Sequence, residues 1–391
     1  MPTMRNKHIT CVLFACAMFA APAALAQTWD LHPIVEGIAS PSVSVFARPC
    51  LAFDPTNLDA ATEMPFFAFM DAPSTYHTVQ FAAFSYGTGL YERQLVTDLP
   101  DSWMNNAIHG LSLAINSEGQ PAIALVHQIV TEAPALTARV VFVPPPWPAG
   151  TLAGLTAINP PLDGLPGDLS GELYQASEHG LAFRLPCRIE LQFDSRNVAH
   201  MLLSFNIGVV VEEPEGSGDT HPTTYCSLYY IAYNPATEQG LARKIVPTAA
   251  GERLDNNFWD SSLALDGTDR VLVAASRYND IFYQECTVTY DASDSPVAIA
   301  CEYSAPLELY GDPQVNSVKN IALVKDPPPG TTVHLGFGIM NYYGSGGDTH
   351  HSLMYMRRDG VVDWSPAEEA IEPPPYTAVR TVFSRTWRCT P

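Results

Sequence analysis

Two short stretches carry the residue types of proton chemistry in the same order. Gly216-Ser217-Gly218-Asp219-Thr220-His221 and Gly344-Ser345-Gly346-Gly347-Asp348-Thr349-His350, the second followed by His351, each set an aspartate two residues ahead of a histidine. An imidazole takes or gives a proton near neutral pH, and a carboxylate beside it holds one tautomer. On that reading His221 and His350 transfer the proton, and Asp219 and Asp348 orient them. The same groups suit a divalent cation, because imidazole and carboxylate are both ligands. A third reading is architectural: glycine permits the bend, Asp and Thr cap backbone donors, and duplication has copied a turn.

Further residues of this kind stand at comparable places. His77 ends Ser74-Thr75-Tyr76-His77, His109 follows Asn105-Asn106, and His179 follows Glu178. Trp103, Phe258-Trp259 and Tyr342-Tyr343 add aromatic faces, with Asn256, Asn257 and Asp260 beside Trp259. Aromatic rings stack on the C–H faces of sugars while Asn, Asp and His bond the hydroxyls. His77, His109, His351, Trp259, Asn257 and Tyr343 are therefore the candidate ligand contacts. Plugging of the loops against the core accounts equally well for each aromatic taken singly.

The elements that must position these residues repeat along the chain. Five apolar strands end in Asp or Asn: Leu51-Ala52-Phe53-Asp54, Leu113-Ala114-Ile115-Asn116, Leu191-Gln192-Phe193-Asp194, Leu263-Ala264-Leu265-Asp266 and Leu323-Val324-Lys325-Asp326. Their closing residues lie 62, 78, 72 and 60 apart, a near-constant interval that marks a repeat. A turn follows each, then an unbroken apolar run such as Phe66-Phe67-Ala68-Phe69 or Met201-Leu202-Leu203, as a strand buried on both faces requires. Third strands alternate, as in Cys286-Thr287-Val288-Thr289-Tyr290, and fourth strands such as Tyr91-Glu92-Arg93-Gln94-Leu95-Val96 are wetter. Helical periodicity is nearly absent, and 34 prolines cut the chain too often for long helices. His200 and His334 open second strands at equivalent positions, which assigns both to structure.

A four-stranded unit of this kind cannot bury its faces alone, and packing such units around a ring does bury them. The pattern resembles the broad group of secreted bacterial β-propellers, which implies an all-β propeller of five four-stranded blades over residues 27–391. Segments 27–49 and 372–391 leave room for a sixth blade, and a pair of two-sheet sandwiches is the alternative. In a propeller, the loops between second and third strands and those between units open on one face, which would gather the histidines. Phe183-Arg184-Leu185-Pro186 resembles the arginine-bearing motif of sialidases, with Phe46-Ala47-Arg48-Pro49 a weaker echo. That likeness implies a carboxylate held by Arg184, with Arg277 joining it. The chain departs from the sialidase pattern in lacking the Ser-x-Asp-x-Gly-x-Thr-Trp boxes and in placing the motif mid-chain.

Composition bounds the partners. Arg5 and Lys7 precede an apolar run from Ile9 to Ala24, and Ala24-Leu25-Ala26 offers a cleavage site, so residues 1–26 read as a signal peptide. The expected compartment is the periplasm or the medium, with no later stretch apolar enough to insert in a bilayer. Loss of Arg5 and Lys7 moves the net charge from −21 to −23, which repels phosphate backbones and argues against nucleic acid. Acidic loops offer oxygen ligands that could attract calcium, and no motif in the chain calls for a cofactor. Cys50, Cys187, Cys226, Cys286, Cys301 and Cys389 remain after cleavage, and an even number in an oxidising compartment reads as disulfides. The repeat favours the pairs 286–301, 187–226 and 50–389, the last clasping the ring. No nucleophile elbow, zinc-protease helix motif or phosphate loop is present. The expected function is glycan binding at the histidine- and aromatic-lined face, with lyase or hydrolase chemistry there; a protein-interaction scaffold is the competing class.

Overall fold

The structure is a computed structural model. It describes residues 50–54, 56, 64–71, 77–99, 106–132, 135–151, 155, 188–212, 220–245, 258–266, 270–277, 280–303, 315–326, 330–343, 348–360 and 363–371. Five antiparallel sheets follow one another along the chain. Sheet 1 contains β1 (Cys50–Ala52), β2 (Phe66–Asp71), β3 (His77–Ser85) and β4 (Leu90–Leu99). Sheet 2 contains β5 (Asn106–Ile115), β6 (Pro121–Glu132) and β7 (Ala135–Val143). Sheet 3 contains β8 (Arg188–Phe193), β9 (Ala199–Glu212), β10 (Thr220–Asn234) and β11 (Gln239–Lys244). Sheet 4 contains β12 (Phe258–Leu265), β13 (Arg270–Arg277), β14 (Asp280–Tyr290) and β15 (Pro296–Tyr303). Sheet 5 contains β16 (Val315–Lys325), β17 (Thr332–Tyr343), β18 (Asp348–Asp359) and β19 (Glu368–Ile371). Each strand pairs with the next in sequence, so every sheet is a meander.

The arrangement is propeller-like. The first strands touch in chain order, β1 with β5, β5 with β8, β8 with β12 and β12 with β16. Side chains between successive sheets form four apolar clusters, one at each junction. The second strands show why their apolar runs are unbroken. Met201 and Leu203 of β9 enter the cluster shared with sheet 2, while Leu202 between them enters the cluster shared with sheet 4. Successive side chains of a strand point to opposite faces, and here both faces are covered.

Contacts between turns fix the polarity of the stack. Asn197 of the β8–β9 turn accepts from Ser117 N of the β5–β6 turn at 2.9 Å. Asn234, at the turn after β10, donates to the carbonyls of Ser293 and Asp294 at the turn after β14, at 3.2 and 3.1 Å. Turns of the same kind therefore lie side by side, and neighbouring sheets run the same way. One end of the stack carries these tight turns. The opposite end, the open end, receives the starts of first and third strands and the ends of second and fourth strands.

Two expectations are revised. Sheet 2 has three strands among the described residues, not four. After β7 come Pro144, Pro145, Pro146 and Pro148, which donate no ladder hydrogen bonds. The chain turns back along sheet 1 instead: Ala149 N donates to Val96 O at 2.9 Å, and Thr151 bridges Asp98 in parallel. Trp147 then packs on Phe81 with ring centroids 4.9 Å apart. The second revision concerns the candidate residues, several of which lie within strands rather than loops, because the strand pairing of the hairpins continues out to them.

The disulfide pairing of Cys286 with Cys301 is present, and the two residues face each other in the β14–β15 register. Cys187 and Cys389 lie outside the described residues, as do the proposed sixth-blade segments 27–49 and 372–391. Cys50 Sγ sits 2.7 Å from Leu111 O across the first sheet junction. Among the described residues no helix is long and apolar enough to cross a membrane.

Candidate functional site at the open end

Strand register places most of the predicted residues at the open end of their own sheets. His77 begins β3, opposite Leu99 of β4. His221 is the second residue of β10, opposite Val211, and His350 and His351 of β18 stand opposite Asn341 and Met340. Asp348 begins β18 opposite Tyr343, the last residue of β17. Arg277 ends β13 opposite Phe258. Asp219, Asn257 and Arg184 lie outside the described residues, as do His179 and Trp103.

Three first strands depart from regular pairing here, and β16 does so between Val315 and Ser317 and again between Lys319 and Ala322. His109 falls where the β5–β6 register shifts between Ile108 and Gly110, and Trp259 with Asp260 falls where β12–β13 shifts between Phe258 and Ser261. Bulges re-aim the residues they contain and occur preferentially beside functional sites.

Buried charge at this end was missed by the sequence reading. Asp260 forms a direct ion pair with Arg188, the first residue of β8; their side chains are 1% and 19% exposed. Ser261 N donates to Asp260 Oδ1 at 3.0 Å, which holds the carboxylate, and Asp260 N donates to Ser276 Oγ at 3.0 Å, which holds the backbone. Burial lowers the Arg188 pKa to about 10, still leaving the guanidinium charged at neutral pH. Asp71, the last residue of β2, is a second buried carboxylate, 3.9 Å from Arg93. His127 of β6 is buried with Arg139 Nε donating to its Nδ1 at 3.1 Å, which puts the ring proton on Nε2. A sequence signal existed for Arg188 and Asp260. Both stand three residues before the leucine of their repeat, Leu191 and Leu263, where sheets 2 and 5 carry Gly110 and Asn320.

The opposite end holds two copies of a structural device. His200 Nδ1 meets Tyr230 Oη at 2.5 Å, and its Nε2 faces Asp194 at 3.4 Å. His334 repeats this with Tyr355 at 2.7 Å and Asp326 at 3.0 Å. Both histidines are satisfied at the turn end, far along their strands from the open end, as their shared position predicts. Burial alone would raise the Asp194 pKa, but His200 and the N–H groups of Val198 and Arg196 together hold it below the ordinary value. Among the described residues no group of three or more His, Cys, Asp or Glu is placed to hold a metal ion.

No protein-family model matches the chain, and no curated protein matches it. Among solved structures it is similar to polysaccharide lyase Uly1, at 12% identity and TM-score 0.39, covering 74% of this chain and 55% of that one. It is similar to the α-L-arabinofuranosidase from Lactobacillus brevis, at 12% identity and TM-score 0.36, covering 81% and 92%. It is also similar to a levansucrase mutant from B. megaterium, at 10% identity and TM-score 0.38, covering 82% and 84%. The chain thus spans only 55% of the length of the lyase.

Proposed function

We propose that this is an exported propeller-like protein that binds an extracellular or periplasmic glycan at the open end of its sheets. The carrying observation is the common polarity of the stack, set by the Ser117–Asn197 and Asn234–Ser293 contacts. It brings strand ends bearing His77, His109, His221, Arg277 and His350 to the same end of their successive sheets. Trp259 at the β12 bulge supplies an aromatic platform, and the imidazoles supply hydrogen bonds to sugar hydroxyls. His221 and His350 are the groups proposed for proton transfer in cleavage, oriented by Asp219 and Asp348.

The test is affinity electrophoresis of the purified protein against neutral and acidic polysaccharides, with assays for reducing ends and for the absorbance of unsaturated products. Retardation by at least one polysaccharide, weakened about tenfold in His221→Ala or His350→Ala, is the expected result. Indifference to every polysaccharide sinks this reading.

A second reading, a protein-interaction scaffold, rests on one surface feature. Tyr86 and Leu90, 65% and 63% exposed, flank the β3–β4 turn, and Phe84 packs edge-on against both Tyr86 and Tyr91. Apolar side chains this exposed suit a protein partner. Pull-down losses on Tyr86→Ser with Leu90→Ser, alongside silence toward glycans, would select it.

A further inference from the structure

The charge balance at the open end narrows the class of sugar, an inference that rests on the glycan reading above. Arg188 and Asp260 occupy equivalent positions in neighbouring first strands, each three residues before its repeat leucine. The repeat does not require a charge there, because Gly110 and Asn320 fill the same position in sheets 2 and 5, whereas the first unit has Arg48. A buried ion pair adds little stability over apolar packing, so its presence where the repeat tolerates neutral residues points to a role with a ligand.

What the pair offers a ligand follows from its geometry. Asp260 is almost wholly buried and is fixed by Ser261 N and Ser276. The Arg188 side chain is 19% exposed against 1% for Asp260, so of the two it is the arginine that a ligand can reach, as a donor whose charge Asp260 already offsets. Such donors bond hydroxyl and ring oxygens well. They hold an added carboxylate less well than an unpaired guanidinium does, because the neighbouring Asp260 charge repels the anion and offsets part of the attraction. The other buried carboxylate described at this end, Asp71, likewise has an arginine beside it. The chain as a whole carries −21, which opposes a polyanion further.

We propose that the Arg188–Asp260 site at the open end selects neutral sugars, with Arg188 donating to sugar oxygens and Asp260 cancelling the charge that would otherwise attract a uronate. The consequence for chemistry is direct. Elimination removes the proton on the carbon bearing a uronate carboxylate and is helped by an uncancelled cation at that carboxylate, which the Arg188–Asp260 pair does not supply. Hydrolysis, in which water cleaves the glycosidic bond and one fragment takes the hydroxyl and the other the proton, needs none. Reducing ends without unsaturated products are the expected outcome of any cleavage.

The experiment compares wild-type protein on neutral polymers (arabinan, galactan, xylan and dextran) with polygalacturonate and alginate. It is run in 0.15 M salt, where charges more than about 8 Å apart are largely screened. Binding confined to neutral polymers supports the proposal. Binding to uronates as tight as to neutral polymers overturns it while leaving the glycan reading intact, and binding to nothing removes both. The isosteric Asp260→Asn uncovers the Arg188 charge, and the expected result is a gain of about tenfold or more in affinity for polygalacturonate. Folded Asp260→Asn protein with no such gain overturns the charge-cancelling role. The wild-type comparison decides the proposal without that variant should it fail to fold.

Discussion

Ser112 Oγ, midway along β5, accepts a hydrogen bond from the backbone N–H of Leu191 in β8 at 2.9 Å. The same junction contact recurs along the stack. Glu190 Oε2 accepts from Leu263 N at 3.1 Å, and Ser262 Oγ accepts from Leu323 N at 3.1 Å. In each case the residue before one repeat leucine satisfies the amide of the next. A first strand is an edge strand, and its outward N–H groups would otherwise be buried without a partner. The repeat thus stitches its sheets together through one polar position. Ser112→Ala or Ser262→Ala strands a buried amide, and each is expected to cost about 1–3 kcal/mol in urea denaturation. An unchanged midpoint for both would mean that water reaches these amides.

The Arg188–Asp260 pair predicts a pronounced asymmetry between single and double replacement. Arg188→Met alone leaves a buried carboxylate uncompensated and should lose about 3–5 kcal/mol. Arg188→Met with Asp260→Leu removes both charges and should recover most of that loss. Thermal denaturation of the three proteins reads the difference directly. Equal losses in the single and double variants would show that the charges are not coupled.

Asp194 predicts acid sensitivity with a definite sign. Its folded pKa lies below its unfolded value, so it contributes stability above the unfolded value, about 3.9, and loses it as pH falls through the folded value. Melting temperatures of wild type and Asp194→Asn, followed from pH 6 to pH 2, should differ most at pH 6 and converge below about pH 4. Parallel curves across the whole range would contradict this.

Cys286 and Cys301 are separated by 15 residues, and closing a loop of that size stabilises by about 3 kcal/mol in the chain-entropy account. Cys286→Ala with Cys301→Ala should lower the unfolding midpoint accordingly. Reductant should move the wild type toward the variant and leave the variant where it is.

Much of the fold was legible in the chain because strand periodicity is local. The second strands read as doubly buried, and Met201-Leu202-Leu203 is so, divided between two clusters. The 286–301 pairing was legible because the two cysteines flank a single hairpin. In the second unit the described residues give three strands, and Ala149 to Thr151 pair with β4 of the preceding sheet, a partner that nothing local in Pro144–Pro148 names. The candidate residues were located in sequence as loop residues, whereas His77, His109, His221 and His350 are strand residues near the open end.

By itself, then, the sequence determined the repeat and the meandering order of strands. Those features follow from alternation and spacing within a few residues of one another. Only the tertiary structure decided that Ser112 serves Leu191, that Arg188 is matched by Asp260 and that neighbouring sheets share one polarity. A buried amide or charge takes its partner from whichever strand packing brings near, and that strand lies some seventy residues away along the chain, 72 in the case of Arg188 and Asp260.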